Sequence, residues 1–204
     1  MRTIAVQAGG QSRRMRRDKA LVPLGGRPMI ERLLRRVQDL AEDVLVTTNR
    51  PQDYAFLGVR LVSDPVPGAG ALAGLRTALA AAWGETVLVL ACDLPFVARP
   101  LLEHLLARAG EADVVIPRRA GEYEPLLAVY ARSVLPAVDS ALAAGRGRMI
   151  SFFPDVRILT IEPEEWGGFD PEGLSFFNVN TPEELAEAER LLARRVLDGG
   201  SDGA

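Results

Sequence analysis

The chain of 204 residues has a single cysteine, a single histidine and no apolar run approaching the ~20 residues needed to cross a bilayer. Each shortage excludes something. A lone Cys92 rules out an internal disulfide framework and a multi-cysteine zinc site, and it suits a reducing compartment. The N-terminus enters an apolar stretch of about five residues with neither a signal-peptide core nor a small-residue cleavage site, so the chain reads as cytoplasmic. His104 stands among leucines in a helix-like segment, which marks it as structural or surface-exposed rather than catalytic. The net charge of -3 and pI of about 5.4 give no general attraction to nucleic acid or to an anionic membrane. No Gly-Lys-Ser or Gly-Lys-Thr occurs, which excludes a P-loop ATPase. Repeats, low-complexity segments and interdomain linkers are also absent. Residues 1–198 therefore read as one domain and 199–204 as a disordered tail.

What is present is a hydrophobic content of 48%, enough for a full core, arranged as short apolar runs alternating with amphipathic stretches. That pattern predicts an α/β fold, a Rossmann-like three-layer sandwich with a mostly parallel sheet covered by helices on both faces. Strands are expected at Thr3–Gln7, Val44–Thr47, Val59–Val62, Val87–Ala91 and Val114–Ile116, with an antiparallel strand at Leu126–Tyr130 and another strand at Val156–Ile161. Helices are expected at Pro28–Leu40, Leu72–Trp83, Pro100–Ala109 and Ser133–Ala144, and near Met149. Thr181-Pro182-Glu183-Glu184 announces a last helix, with threonine as N-cap, proline in the first turn and glutamates at the positive end of the dipole.

In an open parallel sheet the loop after the first strand is a favoured phosphate site. Ala8-Gly9-Gly10 occupies that loop, and adjacent glycines let backbone N–H groups approach an anion with no side chain in the way. Between Arg13 and Lys19 lie four arginines and one lysine against one aspartate, a local charge of +4 that leaves -7 for the remainder. Lys19 supplies a point charge for a polyphosphate. A second glycine-bearing turn, Gly68 to Gly74, precedes a helix and has Asp93 about 20 residues beyond it, as in a dinucleotide-binding turn. Pro65 and Pro67 lengthen that loop, and it follows the third strand, which argues against this alternative.

The run from Gln7 to Leu21, Q-A-G-G-Q-S-R-R-M-R-R-D-K-A-L, resembles the signature L-A-G-G-x-S-x-R-M-G-x-D-K-A-L of sugar-phosphate-type nucleotidyltransferases. Within them it looks most like the molybdenum cofactor guanylyltransferases. Further landmarks follow in order: Thr48-Asn49-Arg50, Ser63-Asp64 with Gly70 to Gly74, Ala91 to Phe96, Glu124-Pro125-Leu126 and Asn178 to Leu185. Two positions depart from the pattern. Gln7 replaces an apolar residue and would put an amide near the base or ribose; Arg16 replaces a glycine and adds bulk to the loop.

The resemblance implies a nucleotide-diphospho-sugar transferase type of fold. It also implies transfer of GMP from GTP to the terminal phosphate of molybdopterin, with or without its metal, releasing pyrophosphate. It implies Mg²⁺ held by Asp93 with Asn180; nucleotide contacts from Ala8, Gly9, Gly10, Lys19, Asn49, Asp64, Gly74, Asp93, Asn178 and Asn180; and catalytic roles for Lys19, Asp93 and Arg14. Arg14, and Arg146 or Arg148, are candidates to receive the acceptor's phosphate; for the last two a solvated loop is the alternative. Asn49 also suits a turn, Asp93 a helix cap, and Asn178 and Asn180 the turn before the last helix. Transient contacts with molybdoenzyme apoproteins or cofactor chaperones are expected. Rival readings are a cytidylyltransferase or sugar-phosphate enzyme of the same superfamily, and a carrier that binds nucleotide or molybdopterin without turnover.

Overall fold

The chain builds its sheet outward from β1 (Arg2–Gln7), whose residues after Arg2 are buried on both faces, as a run without polar alternation requires. The computed structural model describes residues 1–8, 18–66 and 68–197. β1 pairs in parallel with β2 (Asp43–Thr47) on one side and with β4 (Thr86–Ala91) on the other; β3 (Arg60–Val62) extends the β2 edge. Beyond β4 lies β6 (Leu127–Ala131), antiparallel to both β4 and β5 (Val114–Arg119), and β7 (Ile158–Ile161) closes that edge in parallel with β5. The order across the sheet is β7-β5-β6-β4-β1-β2-β3, with the short strand Glu122–Tyr123 pairing β5 as an eighth member. The predicted mostly parallel sheet and its antiparallel strand near Leu126–Tyr130 are both present, and the short Glu122–Tyr123 strand is a second antiparallel member.

Two faces are covered. Helices α1 (Met29–Val37) and α3 (Arg99–Ala107) pack Ile30, Leu33, Leu101 and Leu105 against Ile4, Val6, Leu88 and Leu90. On the other face α2 (Ala71–Ala81) and α4 (Leu135–Ala143) bring Leu72, Leu75, Leu79 and Val138 onto Ala5, Leu45, Val87 and Val89. Alternate residues of β1 thus serve opposite layers, the strand period of two made visible. A smaller cluster joins α5 (Pro182–Leu197) through Ala188 and Leu192 to Leu24, Met29, Phe96 and Val179. Among the described residues no helix is long and apolar enough to cross a membrane. The expected tail, 199–204, lies outside the described residues.

Several predicted boundaries move, each for a local reason. The helix expected over Pro28–Leu40 is α-helical only to Val37 and tightens to a 3-10 turn at Gln38–Leu40. The helix expected to reach Trp83 stops at Ala81, because Ala82 is extended and the Trp83 N–H donates to the Asp43 carboxylate at 3.1 Å. No α-helix forms near Met149: the segment is a series of turns ending in the 3-10 turn Phe153–Asp155, with Phe152 buried in the core. Strand β7 begins at Ile158 rather than Val156. Short helices at Pro51–Tyr54 and Pro163–Trp166, and a hairpin of Pro23–Leu24 with Arg27–Pro28, were not foreseen, being too short to carry a periodic signal.

Asp43, at the start of β2, is a carboxylate sealed into the sheet, its side chain 1% exposed. Arg60 pairs with it through two bonds, at 2.9 and 2.7 Å, the Thr3 hydroxyl donates at 2.8 Å, and the Arg60 guanidinium lies 4.0 Å over the Trp83 ring. Burial pushes this carboxyl up, but the bonds from Arg60, Trp83 and Thr3 outweigh it and hold it below the ordinary carboxylate value. The stabilisation is therefore present above the unfolded value near pH 3.9 and is lost as pH falls through the lower folded value. Asp43→Ala is expected to cost about 3 kcal/mol in urea unfolding, because it strands Arg60 and two buried donors. Asp43→Asn is expected to flatten the acid limb of the stability profile.

Candidate active site

The parallel strands end at one rim, and their ladder continues past the assigned ends. The Cys92 N–H donates to Gln7 O at 3.2 Å, Ala8 N–H to Thr47 O at 2.9 Å and Thr48 N–H to Val62 O at 2.9 Å. Gln7, Ala8, Cys92, Asp93 and the residues after β2 and β3 are thereby held at one edge. Because β6 runs the other way, its start, and with it Glu124 to Leu126, falls at the same rim; Ala91 N–H donates to Leu126 O at 2.8 Å.

Asp93 stands two residues past the end of β4 and is pinned through its backbone, whose carbonyl accepts the Val179 N–H at 3.1 Å. That bond brings Asn178 to Asn180 from the far end of the chain. Asn178 and Asp93 line one cavity. Asn180 accepts a hydrogen bond from the Lys19 ammonium on its side-chain oxygen, and Lys19 Nζ stands 3.8 Å from Asp93 Oδ2. Lys19, Asp93 and Asn180, widely separated in sequence, therefore form one cluster. Among the described residues the Asp93 carboxylate meets no side-chain partner but Lys19. Burial raises its pKa, Lys19 pulls it back, and Glu184 raises it further.

Two supports of this cluster went unnoticed in the sequence. Asp18 caps the 3-10 turn Lys19–Leu21, its carboxylate accepting from Ala20 N–H at 3.2 Å, from the Tyr54 hydroxyl at 2.8 Å and from Arg50. It thereby locks the turn that aims Lys19 to the segment after β2. Burial and the Asp18 bond push the Tyr54 hydroxyl far up, so it remains a donor. Glu184 accepts the N–H groups of Asn180 and Thr181 at 2.6 and 2.9 Å, while its own N–H donates to the Thr181 hydroxyl at 3.2 Å. This reciprocal capping box could have been read from Thr-x-x-Glu, and it also orients Asn180.

On the other side of β1, Asn49 accepts the Asp64 N–H at 3.1 Å, which brings together the two residues expected to contact the nucleoside. Asp64 Oδ1 and Gln7 Nε2 are buried with no hydrogen-bond partner among the described residues. Gly74, in the first turns of α2, has its empty side-chain position filled by the Gln7 amide: a Cβ there would stand 2.9 Å from Gln7 Oε1. Its lack of a side chain makes room for Gln7. The Ala8 N–H is committed to the sheet through its bond to Thr47 O. Gly9, Gly10, Arg14 and Arg16 lie outside the described residues.

The remaining candidates stand apart from the cluster. Arg146 donates to Ser151 O at 2.7 Å within its own exposed loop, Arg148 is exposed there as well, and neither lines the Asp93 cavity. His104 bonds Glu165 at 2.7 Å and stacks on Phe169 at 4.1 Å, a structural role. The Cys92 thiol packs against the core, and burial drives its pKa far up, so it stays protonated. Gly74→Ala is expected to destabilise by about 1 kcal/mol through crowding of the Gln7 amide. The same change in a Gln7→Ala background should be close to neutral in thermal unfolding.

Comparison with known proteins shows the family of the chain. Residues 4–156 match the family described as MobA-like NTP transferase domain. A probable molybdenum cofactor guanylyltransferase of Carboxydothermus hydrogenoformans is 37% identical over 194 residues, 93% of this chain and 94% of its own. A molybdenum cofactor guanylyltransferase of Desulfosudis oleivorans is 34% identical over 90% of this chain and 92% of its own. Among solved structures, molybdopterin-guanine dinucleotide biosynthesis protein A of Archaeoglobus fulgidus superposes with a TM-score of 0.83 at 30% identity, covering 94% of this chain and 99% of its own. A 2-C-methyl-D-erythritol 4-phosphate cytidylyltransferase of Thermus thermophilus shares the fold, with a TM-score of 0.67 at 20% identity. The chain is a nucleotidyltransferase and belongs to the MobA-like NTP transferase family.

Proposed function

We propose that this chain is a magnesium-dependent molybdenum cofactor guanylyltransferase. An oxygen of the acceptor's terminal phosphate attacks the α-phosphorus of GTP, the bond to the β-phosphate breaks, and pyrophosphate leaves. The observation that carries the reading is the cluster of Lys19, Asp93 and Asn180 at the strand rim, in a chain whose relatives bear that name. A phosphate monoester is already ionised near neutral pH, so the attacking oxygen needs no general base, and the one histidine is engaged elsewhere. What the reaction requires is positioning and neutralisation of negative charge. Lys19 supplies a cation, and Asp18 and Asn180 hold the turn and the ammonium in place.

The residues fit a magnesium ion. Asp93 is a partly buried carboxylate with acceptor capacity left over, and Asn180 carries an amide oxygen whose one described partner is the Lys19 ammonium. Such a donor set suits an ion that takes one or two protein oxygens and completes its shell with phosphate and water. When bound, the ion would supply positive charge to the phosphate oxygens. GTP and molybdopterin are the substrates of this reading, and the cytoplasm is its setting; contacts with apoenzymes or cofactor chaperones belong to product delivery.

A second reading, the same transfer with another base, has Gln7 on its side. Its unpaired amide stands where the family signature is apolar, so base choice is open to a polar contact. GTP is expected to raise the melting temperature more than CTP, ATP or UTP with Mg²⁺ present, and Gln7→Leu to change the ratio between bases; a larger shift with CTP would favour the second reading.

Pyrophosphate release from GTP is expected to need both Mg²⁺ and molybdopterin. Lys19→Ala and Asp93→Ala should each lower kcat by about 10²–10³ while the protein stays folded, and full activity in Asp93→Ala would remove that residue from the mechanism. Activity should also fall at acid pH as the Asp93 carboxyl, raised above the ordinary range, takes up a proton. Lys19→Ala removes the group that lowers this pKa, so the acid limb of residual activity should move to higher pH.

A further inference from the structure

Beside Asp93 the rim opens into a cavity of about 220 Å³, lined in part by Glu124, Leu126, Phe176 and Asn178. Glu124 is delivered there by backbone bonds alone. Its N–H donates to Pro117 O at 3.0 Å and its carbonyl accepts from Leu127 N–H at 2.9 Å, so the residue is fixed between the Glu122–Tyr123 strand and β6. The preceding hairpin turn has Ala120 at φ 50° and Gly121 at φ 85°, the left-handed pair of a tight two-residue connection. Its carboxylate makes no hydrogen bond and no ion pair among the described residues, although it is half-buried. Burial pushes its carboxyl up, and Arg119 only partly offsets this from a distance. Arg119 itself lies over the Phe176 ring, 5.7 Å from its centroid.

A partly buried carboxylate beside a cavity, with no donor among the described residues, keeps its acceptor capacity for a ligand's N–H groups. Its chemistry repels a phosphate. The complementary group is a pair of adjacent N–H donors in one plane, such as the ring N–H and exocyclic amine of a 2-amino-4-oxopyrimidine. The flanking walls, Phe176 and Leu126, suit a flat ring, and the volume suits a ring system rather than a whole nucleotide. Two substrates of the proposed reaction carry such an edge: the guanine of the nucleotide and the pterin of the acceptor. In the transfer reading Gln7, Asn49 and Asp64, at the ends of β1 to β3, would hold the nucleoside, whereas this cavity lies at the ends of β4 and β6, on the other side of Asp93. We propose that Glu124 is a specificity-determining residue that accepts the two N–H groups of the acceptor's pterin ring, an assignment that rests on the transfer reading above.

The test is direct binding, measured apart from turnover. Calorimetry with Mg²⁺ and a GTP analogue bridged by methylene between the α- and β-phosphates would compare 6-hydroxymethylpterin with 6-hydroxymethyllumazine, which carries oxygen in place of the 2-amino group. The wild-type protein should favour the pterin by about ten- to a hundredfold, the range for hydrogen bonds to a charged group. Glu124→Gln should lose most of that preference, and Glu124→Asp should retain part of it, with affinity for the GTP analogue unchanged in both. An unaltered preference in folded Glu124→Gln, or none in the wild type, would overturn the assignment. Pyrophosphate release with molybdopterin separates the two readings. Intact transfer without a Glu124-dependent preference rejects Glu124 alone, whereas a Glu124-dependent preference without any transfer upholds the contact and rejects the reaction.

Discussion

The parallel pairing of β1 with β4, from Arg2 opposite Thr86 to Gln7 opposite Ala91, is the constraint on which the site depends. It ends both strands at one level, and the bond from Cys92 N–H to Gln7 O carries the register one residue further. A one-residue slip in this pair would send Asp93 to a different depth and turn Gln7 away from Gly74. The buried layers prevent such a slip, because Ile4 and Val6 are committed to one core and Ala5 to the opposite one. Hydrophobic packing that has no chemistry of its own thus fixes the place where the chemistry occurs.

Charge is then balanced locally around that rim. Lys19 faces Asp93 and Asn180, and each of these elements is held by an acid that does not face a ligand: Asp18 holds the turn that carries Lys19, and Glu184 holds the backbone that carries Asn180. Supporting carboxylates satisfied by backbone N–H groups keep the working side chains oriented without taking their remaining valences. The carboxylates of Asp93 and Glu124 differ from these, since both are partly buried with acceptor capacity unused. That difference separates residues that build the site from residues that await something in it.

The inverted strand β6 gives the rim its second half. Had it been parallel, its start would lie at the opposite end of the sheet, and Glu124 and Leu126 with it. Reversal brings that connection beside Asp93, while Val179 brings Asn178 to the same place. Asp93 consequently stands between the Asn49–Asp64 pair, beyond β2 and β3, and the cavity at the ends of β4 and β6.

By itself the sequence determined the sheet, the order of most strands and helices, the inverted strand at Leu127–Ala131 and the capped last helix, and its family resemblance pointed to Lys19, Asp93 and Asn180, which the structure brings into one cluster. Apolar periodicity and short motifs are local properties, and they survive in a linear reading. Only the tertiary structure decided how the distant parts meet. The early stop of α2 depends on Asp43 capturing the Trp83 N–H, the fit of Gly74 depends on Gln7, and the turn that aims Lys19 depends on Tyr54 and Arg50 reaching Asp18. Each is a polar contact between residues far apart in the chain, made after hydrophobic layering has set the backbone, and no local pattern encodes it. Glu124 shows the same division: the sequence marks its place, and partial burial beside the cavity, with no partner among the described residues, distinguishes it from a surface acid.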